Sequence, residues 1–213
     1  MKIAALSDNH DNYNFDVPPA DLLIHAGDFS YTGKPIEIYN FIEWINKQPH
    51  EYKLWIPGNH ELSLEDFPYN IEVIEKETDA ICVHNKEITI KGIKFFGSAF
   101  TPKFMSWAFM HNLEEANKYW KNVSDAIDVL ITHGPPLNYL DSNSEGEHCG
   151  SLSQYAYIEK VRPKVNVFGH IHEDYGHIIK QWKNTNEHTA FYNVCILNSR
   201  YKLENNVTVF HVK

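Results

Sequence analysis

The sequence predicts an α/β fold in which a mostly parallel sheet carries polar residues at the carboxyl ends of its strands. Short apolar runs at 2–7, 21–26 and 52–56 have the length and composition of buried strands. A helical pattern separates the second run from the third. Each run ends at a segment rich in glycine or aspartate, which is typical of an α/β sheet with a functional site at its strand ends.

The helix between the second and third strands is predicted to begin near Pro35, a residue that suits the first turn of a helix, and to continue to about Gln48. Its apolar side chains recur at helical spacing, at Ile38, Phe41, Ile42 and Ile45. A weaker helical pattern covers 64–77. Residues 80–98 change to short runs with tight turns, which predicts an antiparallel segment with strands at 80–83, 86–90 and 94–98.

The second half of the chain returns to alternating helices and strands. Helices are predicted at 113–122 and 151–162, and strands at 128–132 and 164–169, with a polar loop at 137–150. Three further strands are expected near 176–181, 191–197 and 206–212. Because no repeat, low-complexity segment or linker interrupts this pattern, a single domain over residues 1–213 with two sheets is the simplest prediction.

The composition excludes several classes of protein. The 213 residues are 43% hydrophobic, which is ample for a buried core and excludes a disordered chain. Lys and Arg total 19 against 28 Asp and Glu, a formal net charge of −9, which argues against a protein that grips long nucleic acid by its phosphates. A phosphate substrate is not excluded, because bound metal ions can supply positive charge locally.

The cysteines and the hydropathy pattern bear on location. The three cysteines are far apart and form no CxxC pair, so neither a zinc ribbon nor a thioredoxin-type motif is indicated. A reduced, cytoplasmic protein is expected. The first apolar run is too short for a signal peptide, and no stretch approaches the ~20 apolar residues of a membrane span.

Five strand ends finish in side chains that can bind metal ions. They are D-N-H at 8–10, G-D at 27–28, G-N-H-E at 58–61, T-H-G-P-P at 132–136 and G-H-I-H at 169–172. The two residues of each i, i+2 pair would point to the same side of an extended chain, so each pair could chelate. The candidate ligands are Asp8, His10, Asp28, Asn59, His133, His170 and His172.

The chemistry of this set indicates divalent cations. Carboxylate, imidazole and amide ligands without a thiolate suit Mn²⁺, Fe²⁺, Zn²⁺ or Co²⁺. Seven ligands are too many for one four-coordinate ion but fit two ions that share a bridging carboxylate. Two metal ions ~3.5–4 Å apart are a recurrent device for phosphoryl chemistry.

The ordered series D-x-H, G-D, G-N-H-E, x-H-G and G-H-x-H resembles the calcineurin-like metallophosphoesterase superfamily over residues 8–172. The segments L-I-H-A-G-D-F, P-G-N-H-E, T-H-G-P-P and F-G-H-I-H-E resemble its small MPPED-type branch most closely. The resemblance implies a four-layer α/β/β/α sandwich of two mixed sheets flanked by helices. It places two divalent metal ions, Mn²⁺ first with Fe, Zn, Co or Ni as alternatives, at the carboxyl ends of the strands.

Carried over position by position, the resemblance divides the ligands between two ions. The first ion would be held by Asp8, His10, Asp28 and His172, and the second by Asp28, Asn59, His133 and His170. Asp28 would bridge the ions together with a hydroxide. His60 would not bind metal; it would face the phosphate beside Asn59 and protonate the leaving oxygen.

Other polar residues near the motifs have plainer interpretations. His25 lies within an apolar strand, which indicates a buried structural histidine, and Glu61 is expected to support His60 or the loop backbone. His148 lies on the loop after T-H-G-P-P, where a substrate contact and simple exposure are both open. Asp174 would add a carboxylate near the rim of the site. For Phe100, Phe104, Trp107 and Phe109, ordinary packing is favoured over a role in lining the pocket.

The function that follows is hydrolysis of phosphoesters by in-line attack of the metal-bridging hydroxide on phosphorus, with a phosphodiesterase acting on small substrates favoured. A phosphomonoesterase or protein phosphatase, a nuclease on the same scaffold, and a non-catalytic binding protein are the alternatives. The expected partner is a small phosphoester; a membrane or long nucleic acid is not expected.

Overall fold

Two mixed sheets lie face to face and helices cover their outer faces. The computed structural model describes residues 1–213. The first sheet has the order β13-β1-β2-β3-β4, in which β13 alone is antiparallel to its neighbour. Its strands are β1 (Lys2–Leu6), β2 (Leu22–His25), β3 (Tyr52–Trp55), β4 (Ile81–Cys82) and β13 (Thr208–His211).

The second sheet has six strands in the order β11-β12-β10-β9-β6-β5, with a parallel centre and antiparallel edges. Its strands are β5 (Glu87–Ile90), β6 (Ile93–Ser98), β9 (Val129–Thr132), β10 (Val165–Phe168), β11 (Gly176–Gln181) and β12 (His188–Asn193). A small parallel pair, β7 (Thr101–Pro102) and β8 (Met110–His111), lies outside both sheets.

The helices are α1 (Pro35–Asn46), α2 (Leu62–Asp66), α3 (Tyr69–Glu77), α4 (Leu113–Trp120) and α5 (Leu152–Val161), with a 3₁₀ turn at His172–Asp174. Three buried cores explain their arrangement. The middle core joins the facing sheets, with residues such as Ile24, Leu54, Phe95 and Val129. The two outer cores pack α1 to α3 on the first sheet and α4 and α5 on the second. The four-layer sandwich implied by the resemblance is therefore confirmed.

The sheet registers bring the strand ends together. Leu6 lies opposite His25, which lies opposite Trp55, and in the other sheet Ser98 lies opposite Thr132. An isolated parallel bridge between Ser7 and Cys195 links the chain after β1 to the segment that leaves the second sheet. The polar segments that follow these strands consequently meet at one edge of the sandwich.

Three predicted elements differ from the structure. The helix at 64–77 is two helices, because Pro68 has no backbone N–H to continue the first one. The segment 80–98 is not wholly antiparallel, since β4 pairs in parallel with β3. The strand expected at 191–197 spans His188–Asn193; residues 194–197 are buried where the chain crosses between the sheets, so their apolar character resembles that of a strand.

No helix of the structure combines the length and the apolar character that crossing a bilayer requires.

Candidate metal centre

The structure brings the predicted ligands together at the edge where the strands end. Three groups have ligand atoms within 4.8 Å of one another: Asp8, His10 and His172; His10, Asp28 and His60; and Asp28, His133 and His170. Asn59 joins the last group through Oδ1, which lies 2.9 Å from Nε2 of His133. All seven predicted ligands are therefore adjacent, and His60 lies beside them.

The backbone at these ligands is not extended, which corrects the reasoning from i, i+2 spacing. Asp8, His10, Asp28 and His170 have φ angles of 56°, 41°, 55° and 71°, in the left-handed region. Residues with side chains enter this region at a cost of about 1–3 kcal/mol, and such strain concentrates at functional sites. His170 and His172 point into different groups, so they do not chelate one ion as a pair.

The ring orientations of four histidines leave Nε2 of each ring free to bind a metal ion or a proton. The Nδ1 atoms of His10, His60, His133 and His172 lie 3.1, 2.8, 2.9 and 3.0 Å from the backbone carbonyls of Ser30, Tyr31, Ala26 and Asn198. A carbonyl only accepts, so each Nδ1 carries its N–H and each neutral ring has its lone pair on Nε2. This is the arrangement in which metal-bound histidines are usually held.

Two of those lone pairs face one another. Nε2 of His10 and Nε2 of His172 are 3.4 Å apart, and Nε2 of His133 faces oxygens of Asn59 and Asp28 at 2.9 and 3.3 Å. Acceptors at such distances repel unless a proton or a metal ion lies between them. The donor set therefore fits divalent cations.

Asp28 lies at the centre of the cluster. Its Oδ2 is 3.3 Å from Nε2 of His133 and 3.9 Å from Nε2 of both His10 and His60. Its Oδ1 accepts the backbone N–H of His60 at 2.9 Å, which ties two of the polar segments together. This central position is the one that a bridging carboxylate requires.

Burial and charge make the cluster attractive to cations. Burial alone would raise the pKa of Asp28, but His133 and the other imidazoles hold it well below its usual range. Burial would likewise lower the pKa of His133 and His172, but the carboxylates of Asp28 and Asp8 raise both to about 9. Without metal these two histidines hold protons at neutral pH, and a divalent cation would replace those protons.

Two glycines are required because backbone and carboxylates approach closely. A Cβ atom at Gly169 would collide with the carboxylate of Asp8 and the hydroxyl of Ser7, and one at Gly58 would collide with the carboxylate of Asp28. The glycines that precede the predicted ligands thus provide space for the ligands themselves.

Glu61 supports the loop backbone at the site, which is one of the two roles that the sequence predicts for it. Its buried carboxylate accepts the backbone N–H groups of Gly58, Asp28 and Ser30 at 2.6, 2.9 and 2.9 Å, and the hydroxyl of Ser30 at 2.7 Å. These four donors fill both oxygens, so Glu61 fixes the backbone that presents Asp28.

We expect Glu61→Gln to weaken metal binding by roughly 10–100-fold, the usual cost of losing a residue that supports metal ligands. The new NH₂ group would meet two donors where an oxygen accepted them, which displaces the backbone at Asp28. Calorimetric titration of the variant with Mn²⁺ measures the change. The exposed carboxylate of Glu43 provides the control Glu43→Gln; equal affinities in the two variants would contradict this role.

A cavity of about 320 Å³ opens above the cluster. Its polar lining includes Asp28, Asn59, His60, His170, His172 and Glu173, and its apolar lining is Phe104, Met105, Trp107 and Tyr201. The side chain of His60 is 12% exposed and the indole of Trp107 stacks on it, with ring centroids 4.2 Å apart and planes 25° apart. The prediction of ordinary packing was therefore wrong for Phe104 and Trp107, which line the cavity. It holds for Phe109, which is buried and does not line the cavity.

Two residues contribute to the site although no motif in the sequence indicates them. Tyr201 lies against the rings of His10 and His172, with centroids 4.8 and 5.2 Å away, in a tail segment that carries no motif. Cys195 places its sulfur 3.0 Å from Oδ2 of Asp8. Burial and the Asp8 charge raise the pKa of this thiol well above its usual value, so it stays protonated and donates to the carboxylate.

Three other polar residues have structural roles. His148 does not line the cavity: its side chain is 52% exposed, and Nδ1 lies 2.8 Å from Asp141. Asp174 accepts the N–H of Ser142 at 2.8 Å and so fastens the 137–150 loop to the 3₁₀ turn. His25 is buried and its Nε2 lies 2.8 Å from Oδ1 of Asn9, as expected of a structural histidine.

The chain is similar in sequence to known proteins. Residues 1–174, which include all seven predicted ligands, match the family described as calcineurin-like phosphoesterase. A UPF0046 protein of Caenorhabditis elegans is 32% identical over 225 residues, covering 100% of this chain and 75% of that protein. The human metallophosphoesterase domain-containing protein 1 is 35% identical over 202 residues, covering 82% of this chain and 61% of that longer protein.

Solved structures share the fold. A Thermus thermophilus protein has a TM-score of 0.62 at 13% identity, covering 98% of this chain and 99% of its own. The phosphopantetheinyl hydrolase of Mycobacterium tuberculosis has a TM-score of 0.63 at 14% identity, covering 94% of this chain and 90% of its own.

Proposed function

The chain belongs to the calcineurin-like phosphoesterase family, and from that premise we propose that it is a dinuclear metal-dependent phosphodiesterase acting on small substrates. The observation that carries the proposal is the set of imidazole lone pairs and carboxylate oxygens that converge on Asp28. Protons can satisfy part of such a set when no metal is bound, whereas two cations sharing Asp28 would account for every member of it.

The ligands divide as the three groups suggest. Asp8, His10, Asp28 and His172 would hold one ion, and Asp28, Asn59, His133 and His170 the other. When bound, the ions would supply the positive charge that attracts the phosphate oxygens and activates water for in-line attack on phosphorus. Backbone carbonyls hold His10, His133 and His172 by their Nδ1 atoms, so little reorganisation of these ligands would accompany binding of ions.

His60 is proposed as the proton donor to the leaving oxygen. The carbonyl of Tyr31 accepts from Nδ1, so when both ring nitrogens are protonated Nε2 is the atom that can deliver a proton into the cavity. The side chain is 12% exposed and lines the cavity, which leaves space for a substrate atom beside it. A donor held in this way lowers the barrier to departure of the alcohol.

A small diester fits the cavity and its charge. The opening of about 320 Å³ suits a small ester, and Glu173 on its lining repels a dianionic monoester more than a singly charged diester. The test is a substrate panel with Mn²⁺-loaded protein: bis-p-nitrophenyl phosphate, p-nitrophenyl phosphate and single-stranded DNA. We expect the diester to be turned over fastest; release of nucleotides from DNA as the dominant activity would favour a nuclease instead.

Trp107 is expected to position His60, because its indole is stacked on the imidazole at a centroid distance of 4.2 Å. Trp107→Ala should lower kcat by about tenfold and leave metal affinity unchanged. This loss is smaller than the 10²–10⁴-fold that a general acid contributes, because His60 itself remains. Trp107→Phe, which retains a ring, should recover most of the loss. The loss should vanish when Trp107→Ala is made in a His60→Ala background; an undiminished loss there would contradict the positioning role.

A further inference from the structure

A second, more polar cavity of about 500 Å³ adjoins the candidate metal centre. The two cavities share His172, Glu173 and Ser199, so they are continuous around a predicted metal ligand. The second cavity has one hydrophobic residue in its lining and contains two cationic side chains, Arg200 and Lys202. No other lysine or arginine lines either of these two cavities.

Both cations lack a partner within the protein. Neither side chain has a carboxylate within 4.0 Å, and neither donates a hydrogen bond to a protein group. Both side chains are exposed, and in a chain with a net charge of −9 they are the cationic side chains placed beside the candidate metal centre. Two unpaired cations beside a site for phosphate are therefore available to a ligand.

The segment that carries them is fixed relative to the metal centre. Oδ1 of Asn198 accepts the backbone N–H groups of Arg200 and Lys202 at 2.9 and 3.1 Å, and a bridge between Leu197 and Leu203 closes the turn. The backbone carbonyl of the same Asn198 lies 3.0 Å from Nδ1 of His172. One residue thus sets the positions of a predicted metal ligand and of both cations.

Successive side chains of this turn line different cavities. Tyr201, between the cations in sequence, has a φ of 56° and lines the metal-centre cavity, whereas Arg200 and Lys202 line the adjoining one. Two carboxylates also line the second cavity. Glu204 is occupied by the side-chain amide of Asn198, which leaves Glu173 at the junction as the acidic group that a ligand would meet.

From these observations we propose that Arg200 and Lys202 form a subsite for a second anionic group of the substrate, so that the enzyme acts on phosphoesters whose esterified group carries a carboxylate or phosphate. This inference rests on the proposed function, since the reacting phosphate must occupy the metal centre. A neutral, hydroxyl-bearing stretch between the two anionic groups would lie beside Glu173, which can accept a hydrogen bond from it.

The test is binding of non-hydrolysable phosphonates to the Mn²⁺-loaded full chain, measured by calorimetry. Phosphonoacetate, 3-phosphonopropionate and 4-phosphonobutyrate are compared with ethyl-, propyl- and butylphosphonate, which lack the carboxylate. We expect one carboxylated ligand to bind at least about tenfold more tightly than its alkyl counterpart, because charge-assisted hydrogen bonds to the carboxylate would add to its affinity. The double variant Arg200→Ala, Lys202→Ala should lose that advantage while its affinity for the alkylphosphonates is unchanged.

The controls separate the possible failures. Lys76→Ala combined with Lys118→Ala removes the same charge from exposed helix positions outside both cavities and should leave the advantage intact. An advantage that persists in the Arg200, Lys202 variant would mean that the carboxylate binds the metal ions, and would overturn the subsite. The absence of any advantage in the unaltered protein would overturn it too. If no phosphonate binds at all, the proposed metal centre fails, and the subsite fails with it.

Discussion

Replacing Asp28 by alanine is expected to remove both metal ions and to reduce hydrolysis by at least roughly 10³-fold, the order of effect seen when a main electrostatic contact to the transition state is lost. The reason is geometric. Oδ2 of Asp28 lies within 3.3–3.9 Å of Nε2 of His133, His10 and His60, so its charge serves both ligand groups. Without it, both ligand groups lose the carboxylate that they share, and too few ligands remain to hold either ion.

The experiment for Asp28 is metal analysis after gel filtration, together with the rate on bis-p-nitrophenyl phosphate. Asp28→Asn is measured beside Asp28→Ala, because the amide can keep the contact to the N–H of His60 while removing the charge. Asp66→Ala, at an exposed aspartate outside the cavity, is the control for loss of one carboxylate. Retention of one full equivalent of metal by Asp28→Ala would show that Asp28 does not bridge the two sites.

Replacing His60 by alanine should lower turnover by roughly 10²–10⁴-fold while both metal ions stay bound, the range for loss of a general acid. The imidazole is fixed by the carbonyl of Tyr31 and lines the cavity. Its Nε2 lies 3.9 Å from Oδ2 of Asp28. At that distance His60 could be either a metal ligand or a proton donor, so the metal content of this variant decides between the two roles.

Leaving-group dependence sharpens the test of His60. A substrate with a good leaving group, such as p-nitrophenolate, needs little protonation, whereas an alkyl alcohol depends on it. The variant should therefore lose more activity on a diester of an alkyl alcohol than on bis-p-nitrophenyl phosphate. Metal loss in His60→Ala equal to that in Asp28→Ala would show that His60 is a ligand.

The positions of the ligands could be predicted because they follow from a rule about strand ends. Buried strands are recognised by short apolar runs, and parallel strands bring their carboxyl ends to one edge. Asp8, Asp28, Asn59, His133 and His170 each follow such a run, and the registers of both sheets place them together as expected. The glycines that precede some of them are explained by the space the carboxylates occupy.

What could not be predicted depends on backbone angles and on contacts between distant segments. The left-handed angles of Asp8 and His10 have no signature in the sequence, because neither residue is glycine. Residues 194–197 resemble a strand since their burial between the sheets requires the same apolar side chains. The stacking of Trp107 on His60 joins segments more than forty residues apart, and an aromatic residue in a loop more often indicates packing.

The segment 194–203 also makes contacts with the site that the sequence could not predict. Asn198 holds His172 through its carbonyl and organises the turn that carries Tyr201, yet both residues lie beyond the last recognisable motif. Cys195 donates to Asp8, which lies 187 residues away in the sequence. Contacts of this kind are set by tertiary packing, and no local spacing indicates them.

The most direct test of the two-metal account is reconstitution of activity. Protein treated with EDTA and then desalted should not hydrolyse bis-p-nitrophenyl phosphate, and addition of Mn²⁺ should restore hydrolysis in proportion to metal bound, with saturation at two ions per chain. Absence of hydrolysis with each of Mn²⁺, Co²⁺, Ni²⁺, Fe²⁺ and Zn²⁺, or full activity after complete removal of metal, would contradict the account.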